Sequence, residues 1–369
     1  MTDTIARVEV FCVHLPYRAE IRYATNRDTN GVFALLRLTT EDGAVGIAEC
    51  MTRIDQPMGE DIKTVAYQIE TYLAPMLIGV DPLLHDEILT KIARVEKCRT
   101  AKSLIDIALW DLKGKLLGQP VWRLLGGGQP EPVPISSIVF GHTSIREMAD
   151  DAGRAVADQG FRGFKIKTWK RSMEDVDVIR EIRKAVGDDV FLYADANEIY
   201  TPGEARRIFP HFADYNVRMV EDPCKCTTFE ELAKLAAELP IPILADGYWE
   251  TLNDVYKLVK ADAIGALSLK LRKTGITQAL KLIGLCEMAG VAVVIGTNTE
   301  SRIGTLPMIH VWSAFRTLQS VPSETGFYRF FVDDVLEGDL LYENGTIHVP
   351  DAPGFGASID EKKLKKYRV

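Results

Sequence analysis

Lys165-Ile166-Lys167, Tyr193-Ala194-Asp195, Val220-Glu221, Leu244-Ala245-Asp246 and Lys270 follow one another along the chain at nearly constant intervals. Asp195 to Glu221 is 26 residues, Glu221 to Asp246 is 25, and Asp246 to Lys270 is 24. Each of these charged residues lies at the end of a short apolar run, at 163–168, 190–195, 218–221, 241–246 and 264–270. Two more runs occupy 133–140 and 291–296, and stretches of helical periodicity lie between runs, as at 173–186, 229–238 and 277–290. A strand, a polar turn and a helix repeated in this way build a parallel sheet, because the returning helix lays the next strand beside the last in the same direction. Seven or eight such units fit a closed barrel better than an open doubly wound sheet. An open sheet would favour a glycine-rich phosphate turn after its first strand, and residues 138–145 contain one glycine.

Upstream the pattern is different. Residues 5–15 alternate loosely between apolar and polar, and 32–39 and 44–49 flank Glu41-Asp42-Gly43, a hairpin signal. Helical spacing follows: Val65, Ile69, Tyr72, Leu73 and Met76 fall on one face, and so do Ile105, Leu109, Leu112 and Leu116 before Gly118 and Pro120. The expectation is an α+β domain over residues 1–130 and an α/β domain over 131–334, with no low-complexity linker between them, so the two pack tightly.

The chain has 369 residues, 47% hydrophobic and 26% charged, which suits a globular protein with more than one layer of core. Asp and Glu outnumber Lys and Arg by 52 to 44, for a net charge of −8, which speaks against a nucleic-acid surface. It does not speak against an anionic substrate, since a local cation and a few lysines override the global sign. No apolar run approaches about 18 residues and the first residues are polar, so neither a membrane span nor a signal peptide is expected. The six cysteines are scattered, and Cys224-x-Cys226 has neither redox nor zinc spacing; buried thiols in a reducing cytoplasm are expected.

Three carboxylates at consecutive strand ends carry the chemistry. In a barrel such ends are neighbours around one mouth, so Asp195, Glu221 and Asp246 would converge and repel unless a cation sits among them. Oxygen-only ligands favour a hard ion, Mg²⁺ first and Mn²⁺ second. Strand alternation puts Lys165 and Lys167 on one face and Ile166 on the other. Lys167 and Lys270 then bracket the three acids.

With these residues on the page, the chain resembles the enolase superfamily, in its muconate lactonizing enzyme subgroup (the mandelate racemase/muconate lactonizing enzyme family). That family carries Lys-x-Lys on the second barrel strand, metal-binding acids at the ends of the third to fifth, and a lysine at the end of the sixth. Ile105-Asp106-Ile107-Ala108-Leu109-Trp110-Asp111-Leu112, Leu124-Leu125-Gly126-Gly127, Pro353-Gly354-Phe355-Gly356 and the segment Gly296-Thr297-Asn298-Thr299-Glu300-Ser301 are also family-like. The resemblance implies a (β/α)7β barrel capped by an α+β domain that residues 335–369 complete, and a homo-oligomer, dimer to octamer. It implies Asp195, Glu221 and Asp246 as metal ligands, Lys167 and Lys270 as acid and base, and Lys165 beside the substrate carboxylate. Asn197, Asn298, Glu300 and Glu324 become substrate-binding candidates. So do Tyr23 and Arg27 (with Arg22 and Thr25) in one capping loop, and Arg53 (with Met51 and Thr52) in the next.

The implied activity is removal of the proton beside the carboxylate of a small molecule, through an enediolate, by an isomerase: an epimerase, racemase or muconate-type cycloisomerase. A dehydratase or o-succinylbenzoate-synthase-like lyase would use the same site. Three departures narrow this. Gly247 stands where the subgroup often has Glu after the third ligand. Residues 321–326 lack the Asp-x-Asp of dipeptide epimerases. Asn298 and Glu300 stand where the mandelate racemase branch carries a histidine, and none of the six histidines follows a strand in that place.

Overall fold

The computed structural model describes residues 3–22, 27–52, 59–140 and 144–369. The chain opens with an antiparallel sheet of Ile5–Arg22, Arg27–Thr40 and Val45–Met51. The turn between the last two falls on the predicted residues: Gly43 takes φ +89° and Thr40 N donates to Ala44 O at 2.9 Å. One face of this sheet is covered by the helix Arg99–Leu116, and Gly46 is what lets it lie so close. A Cβ on Gly46 would meet Leu112 Cβ at 2.7 Å. Ile105, Leu109 and Leu112 are fully buried, as their spacing predicts.

The preceding helical stretch departs from its predicted face. Tyr72 is 48% exposed, while Val65, Ile69, Leu73 and Leu77 are buried. The cause is a π-helical turn over Ile69–Leu73. One extra residue in that turn makes the buried positions recur every fourth residue, which carries Tyr72 out and brings Leu77 in place of Met76.

Seven parallel strands follow: Ser136–Val139, Gly163–Lys167, Phe191–Asp195, Val217–Glu221, Ile243–Ala245, Ala266–Leu269 and Ala292–Ile295, each hydrogen-bonded to the next. The sheet curls, and its two faces separate cleanly. Ile166, Leu192, Ala194, Val220 and Leu267 pack toward the helices. Tyr193, Met219, Leu244, Ala266, Val294 and Val321 form a second, smaller apolar cluster on the opposite face. Residues 321–324 bond to both edge strands: Ser136 N donates to Ser323 O at 2.7 Å, and Glu324 N to Ile295 O at 3.0 Å. The last residues return to the first strand, where Val369 N donates to Cys12 O at 3.0 Å. No described helix is long and apolar enough to cross a membrane.

Two buried acids of the helix Arg99–Leu116 fasten distant segments. Asp111 accepts Ile47 N at 2.9 Å, Phe355 N at 2.7 Å and the Lys115 ammonium at 2.7 Å, which joins the first sheet to the Pro353-Gly354-Phe355-Gly356 segment. Asp106 accepts Ile276 N at 2.5 Å, Thr277 N at 2.9 Å and Thr277 Oγ1 at 2.5 Å, with His85 Nε2 at 2.8 Å. It therefore caps a helix start inside Leu271–Ala289, where Gly275 (φ +65°) breaks the helical backbone and a side chain would strike Asp106. A third acid, Glu49 on the strand Val45–Met51, accepts Ser301 N at 2.9 Å and the Ser301 hydroxyl. Burial pushes Glu49 up to about 8, against the pull of the Ser301 bonds.

Two outcomes follow. Asp106→Ala leaves buried backbone donors without acceptors and should lower unfolding free energy by about 2–4 kcal/mol in urea titrations, without loss of secondary structure. Glu49, with its folded pKa raised from 4.5 to about 8, contributes stability that is full below the lower value and drains away as pH rises through the upper. Glu49→Gln should remove that slope, so the stability difference between variant and wild type, measured across this window, moves in the variant's favour as pH rises.

Candidate active site at the strand ends

The three predicted acids lie where their strands end. Asp195 closes Phe191–Asp195, Glu221 closes Val217–Glu221, and Asp246 follows Ile243–Ala245 by one residue. The sheet register sets Lys167 beside Asp195 and Asp195 beside Glu221. Asp195 and Glu221 are each 1% exposed. Lys165 lies on the same strand face as Lys167 and is buried, while Ile166 turns into the helix layer, as strand alternation requires.

Four lysines answer the acids. Lys165 Nζ is 2.7 Å from Glu221 Oε2, 2.7 Å from Glu324 Oε1 and 3.6 Å from Asp195 Oδ2. Lys167 donates to Asp195 Oδ2 at 2.6 Å and to Asn197 Oδ1 at 2.9 Å. Lys270 donates to Asp246 Oδ2 at 2.5 Å. Lys273 donates to Asp246 O at 2.6 Å and Trp249 O at 3.1 Å, and its ammonium stands 4.2 Å from the centre of the Trp249 ring. Lys167 and Lys270 thus approach the acids from opposite ends of the row, on strands four places apart in the sheet.

Burial and neighbours pull these groups in different directions. Burial raises Asp195 and Asp246, but Lys167 acting on the first and Lys270 and Lys273 on the second outweigh it, so both titrate below the ordinary carboxylate range. Glu221 is pushed well up by burial and by Asp195, and Lys165 offsets only part of this. Lys165 is penalised by burial yet held well above its usual value by Glu221 and Glu324. Lys270 behaves likewise through Asp246. Lys273 is lowered, chiefly by burial.

The remaining predicted residues divide. Glu324 is 2% exposed and lies beneath Lys165, accepting from the Tyr193 hydroxyl at 2.5 Å and from Thr297 N at 2.9 Å. Glu300 is buried and occupied by Thr297 Oγ1 at 2.7 Å and Asn298 N at 2.8 Å. Asn298 Nδ2 is buried with no protein partner among the described residues. Asn197 is exposed and reaches Lys167. Arg27 begins a strand and is exposed. Tyr23, Thr25 and Arg53 lie outside the described residues. Met51 and Thr52 are buried, Met51 against the Thr299 hydroxyl. Cys224 and Cys226 are free thiols with sulfurs 3.7 Å apart.

Sequence reasoning missed Asp222 and Lys273. Asp222 directly follows Glu221, and Lys273 comes one helical turn after Lys270; adjacency to a predicted site residue was the available signal. Asn197, Glu198, Asp222 and Thr299 all sit in the left-handed backbone region beside these strand ends, and for a β-branched residue such as Thr299 that is unusual.

Could the acids hold a cation? Glu221 Oε1 and Asp246 Oδ1 are buried and accept no hydrogen bond from the described residues. Ligand-competent oxygens of Glu221, Asp222 and Asp246 lie within 4.8 Å of one another. Buried carboxylate oxygens left without donors, all of one hard type, fit a divalent ion.

Comparison with known proteins gives this arrangement a family. The mandelate racemase / muconate lactonizing enzyme N-terminal domain matches residues 5–126, and the enolase C-terminal domain-like family matches residues 147–363. A chloromuconate cycloisomerase of Pseudomonas putida is 30% identical over 370 residues, covering 98% of both chains. An N-succinyl-L-Arg/Lys racemase of Bacillus cereus is 28% identical over 376 residues, covering 99% of this chain and 98% of the relative. The crystal structure of a muconate lactonizing enzyme from Mucobacterium Smegmatis complexed with muconolactone superposes with a TM-score of 0.93 at 30% identity, covering 99% of this chain and 100% of that one. Family match, full-length similarity and the row of acids between lysines agree: the chain is an enzyme of the enolase superfamily and belongs to the muconate lactonizing enzyme subgroup.

Proposed function

We propose that this protein is a Mg²⁺-dependent isomerase (Mn²⁺ substituting) that removes the proton beside the carboxylate of a small molecule, with Lys167 and Lys270 as acid and base. The observation that carries the reading is the placement of these two amines, 2.6 Å from Asp195 and 2.5 Å from Asp246, at opposite ends of one acidic row. In this reading the curled sheet is a (β/α)7β barrel closed through residues 321–324, and residues 1–130 with 335–369 form its cap. Two family-like stretches meet at Asp111 and support that division.

Asp195, Glu221 and Asp246 hold the ion. A bound divalent cation supplies the positive charge that stabilises the enediolate and takes up the anion that otherwise keeps Lys270 protonated. Lys165, fixed between Glu221 and Glu324, presents a cation to the substrate carboxylate. A lysine on each side of the α-carbon allows one to take the proton and the other to return it to the opposite face, which is racemisation or epimerisation. If only one lysine moves a proton, the enediolate serves cycloisomerisation of the muconate type. N-succinyl amino acids and muconates are the substrate classes to try, and buried Glu300 and Asn298 face the choice with the capping loops.

Lys167→Ala and Lys270→Ala should each reduce kcat by about three orders of magnitude or more while Mg²⁺ binding by calorimetry survives. Near-normal turnover in either variant would end the two-lysine scheme. Incubation of candidate acids in D₂O discriminates the outcomes. α-Deuterium with inverted configuration marks a racemase or epimerase, a lactone marks a cycloisomerase, and an unsaturated or keto product would replace the isomerase reading with a lyase.

A further inference from the structure

Asp222 is buried, only 3% exposed, yet it makes no ion pair with any of the four lysines of the site. Its backbone is in the left-handed region at φ +43°, a conformation that an aspartate adopts at some cost. That turn is fixed at both ends, by Asp222 N to Leu244 O at 3.1 Å and by Glu198 N to Asp222 O at 2.8 Å. The effect is to swing the carboxylate across to the next strand. There Oδ1 accepts Asp246 N at 3.0 Å and Oδ2 accepts Gly247 N at 2.8 Å.

Gly247 makes room for this. A Cβ at position 247 would stand 3.1 Å from Asp222 Oδ2 and 3.7 Å from Glu198 Cδ. Each oxygen of an ionised carboxylate has two lone pairs, and each backbone bond uses one. A lone pair therefore stays free on each, and one oxygen of Asp222 lies within 4.8 Å of ligand-competent oxygens of Glu221 and Asp246. Glu221, 1% exposed, has Oε1 buried without a hydrogen-bond donor, while Lys165 stands on its other oxygen, and Asp246 has one such buried oxygen, Oδ1. A fourth buried anion held against two others, with no ammonium of its own, is a costly arrangement for the protein alone and a favourable one for a dication.

We propose that Asp222 is a fourth carboxylate of the cation site, which adds its charge toward the ion while clamping the backbone that carries Asp246. The proposal rests on the metal-dependent reading above. It also gives Gly247 a reason: the missing side chain is the space that Asp222 occupies.

The test is Mg²⁺ titration into the metal-stripped full-length protein by calorimetry, paired with thermal unfolding with and without Mg²⁺. Asp222→Asn keeps the shape and loses the charge; it should weaken Mg²⁺ binding about 10–100-fold. Its amide nitrogen also replaces one of the two oxygens that accept Asp246 N and Gly247 N, so the metal-free Tm should fall; the deciding reading is the Mg²⁺-induced rise in Tm, which should shrink. A merely structural aspartate would lower the metal-free Tm and leave the Mg²⁺-induced rise intact, and an intact rise overturns the proposal. Gly247→Ala should also weaken Mg²⁺ binding, but should have no further effect when combined with Asp222→Ala, because the contact it disturbs is gone. A wild-type protein that binds Mg²⁺ and an Asp222→Asn variant within about twofold of it overturn this inference alone. A wild-type protein that takes up no Mg²⁺ overturns the metal-dependent reading with it.

Discussion

A single buried ammonium holds the strand ends together. Lys165 lies between Glu221 and Glu324 with Asp195 close by, and is shielded from water by the cluster that includes Tyr193. Without a cation there, acids from adjacent strands would face one another in a medium that screens charge poorly. Removing one member of such a buried set typically costs about 3–5 kcal/mol, because the partners stay buried and unpaired. The register of the strands, the inward turn of their terminal acids and the placement of Lys167 one step nearer the mouth are all consistent with this one contact. The same strand that anchors the charge balance at Lys165 places a second ammonium, Lys167, against Asp195 two residues later.

The architecture separates work by face. Residues pointing outward from the parallel sheet are aliphatic and pack under helices; those pointing inward are apolar at one end and ionisable at the other. Acids that would be intolerable in either apolar layer become usable because they gather at the strands' carboxyl ends, where chain direction changes and backbone donors are free. The N-terminal sheet participates directly. Glu49 grips the residues after the last parallel strand, and Met51 touches Thr299, so the wall of the site is partly built by a region far away in the chain.

Much of this was legible in the sequence for a simple reason: in repeated strand–helix units, spatial neighbours recur at a fixed sequence interval. Asp195, Glu221, Asp246, Lys165, Lys167 and Lys270 could be placed by counting, and alternation alone put Ile166 on the opposite face. What could not be counted was anything set by contact between units. Glu324, expected near substrate, also pairs with Lys165, a contact set by how residues 321–324 meet both sheet edges. Asp222 reaches its partners only because of a left-handed turn that no pattern announces. Tyr72 left its predicted face because one π-helical turn changes the period. Asp106 and Asp111 stood out as part of a family-like stretch, but their tasks became clear only when Ile276, Thr277, Ile47 and Phe355 were seen donating to them.

The interruption of the backbone at Gly275 has an effect on tolerance to change. Lys270 and Lys273 ride on a short turn before the break, anchored by Asp246 and Trp249, whereas the long outer part of the same helix is anchored through Asp106. Mechanical strain from substitutions on the solvent side of that outer part, around Met288 for example, meets a discontinuity before it reaches the amines. The outer surface can therefore drift in evolution, or be redesigned, while the end that carries Lys270 and Lys273 keeps its alignment.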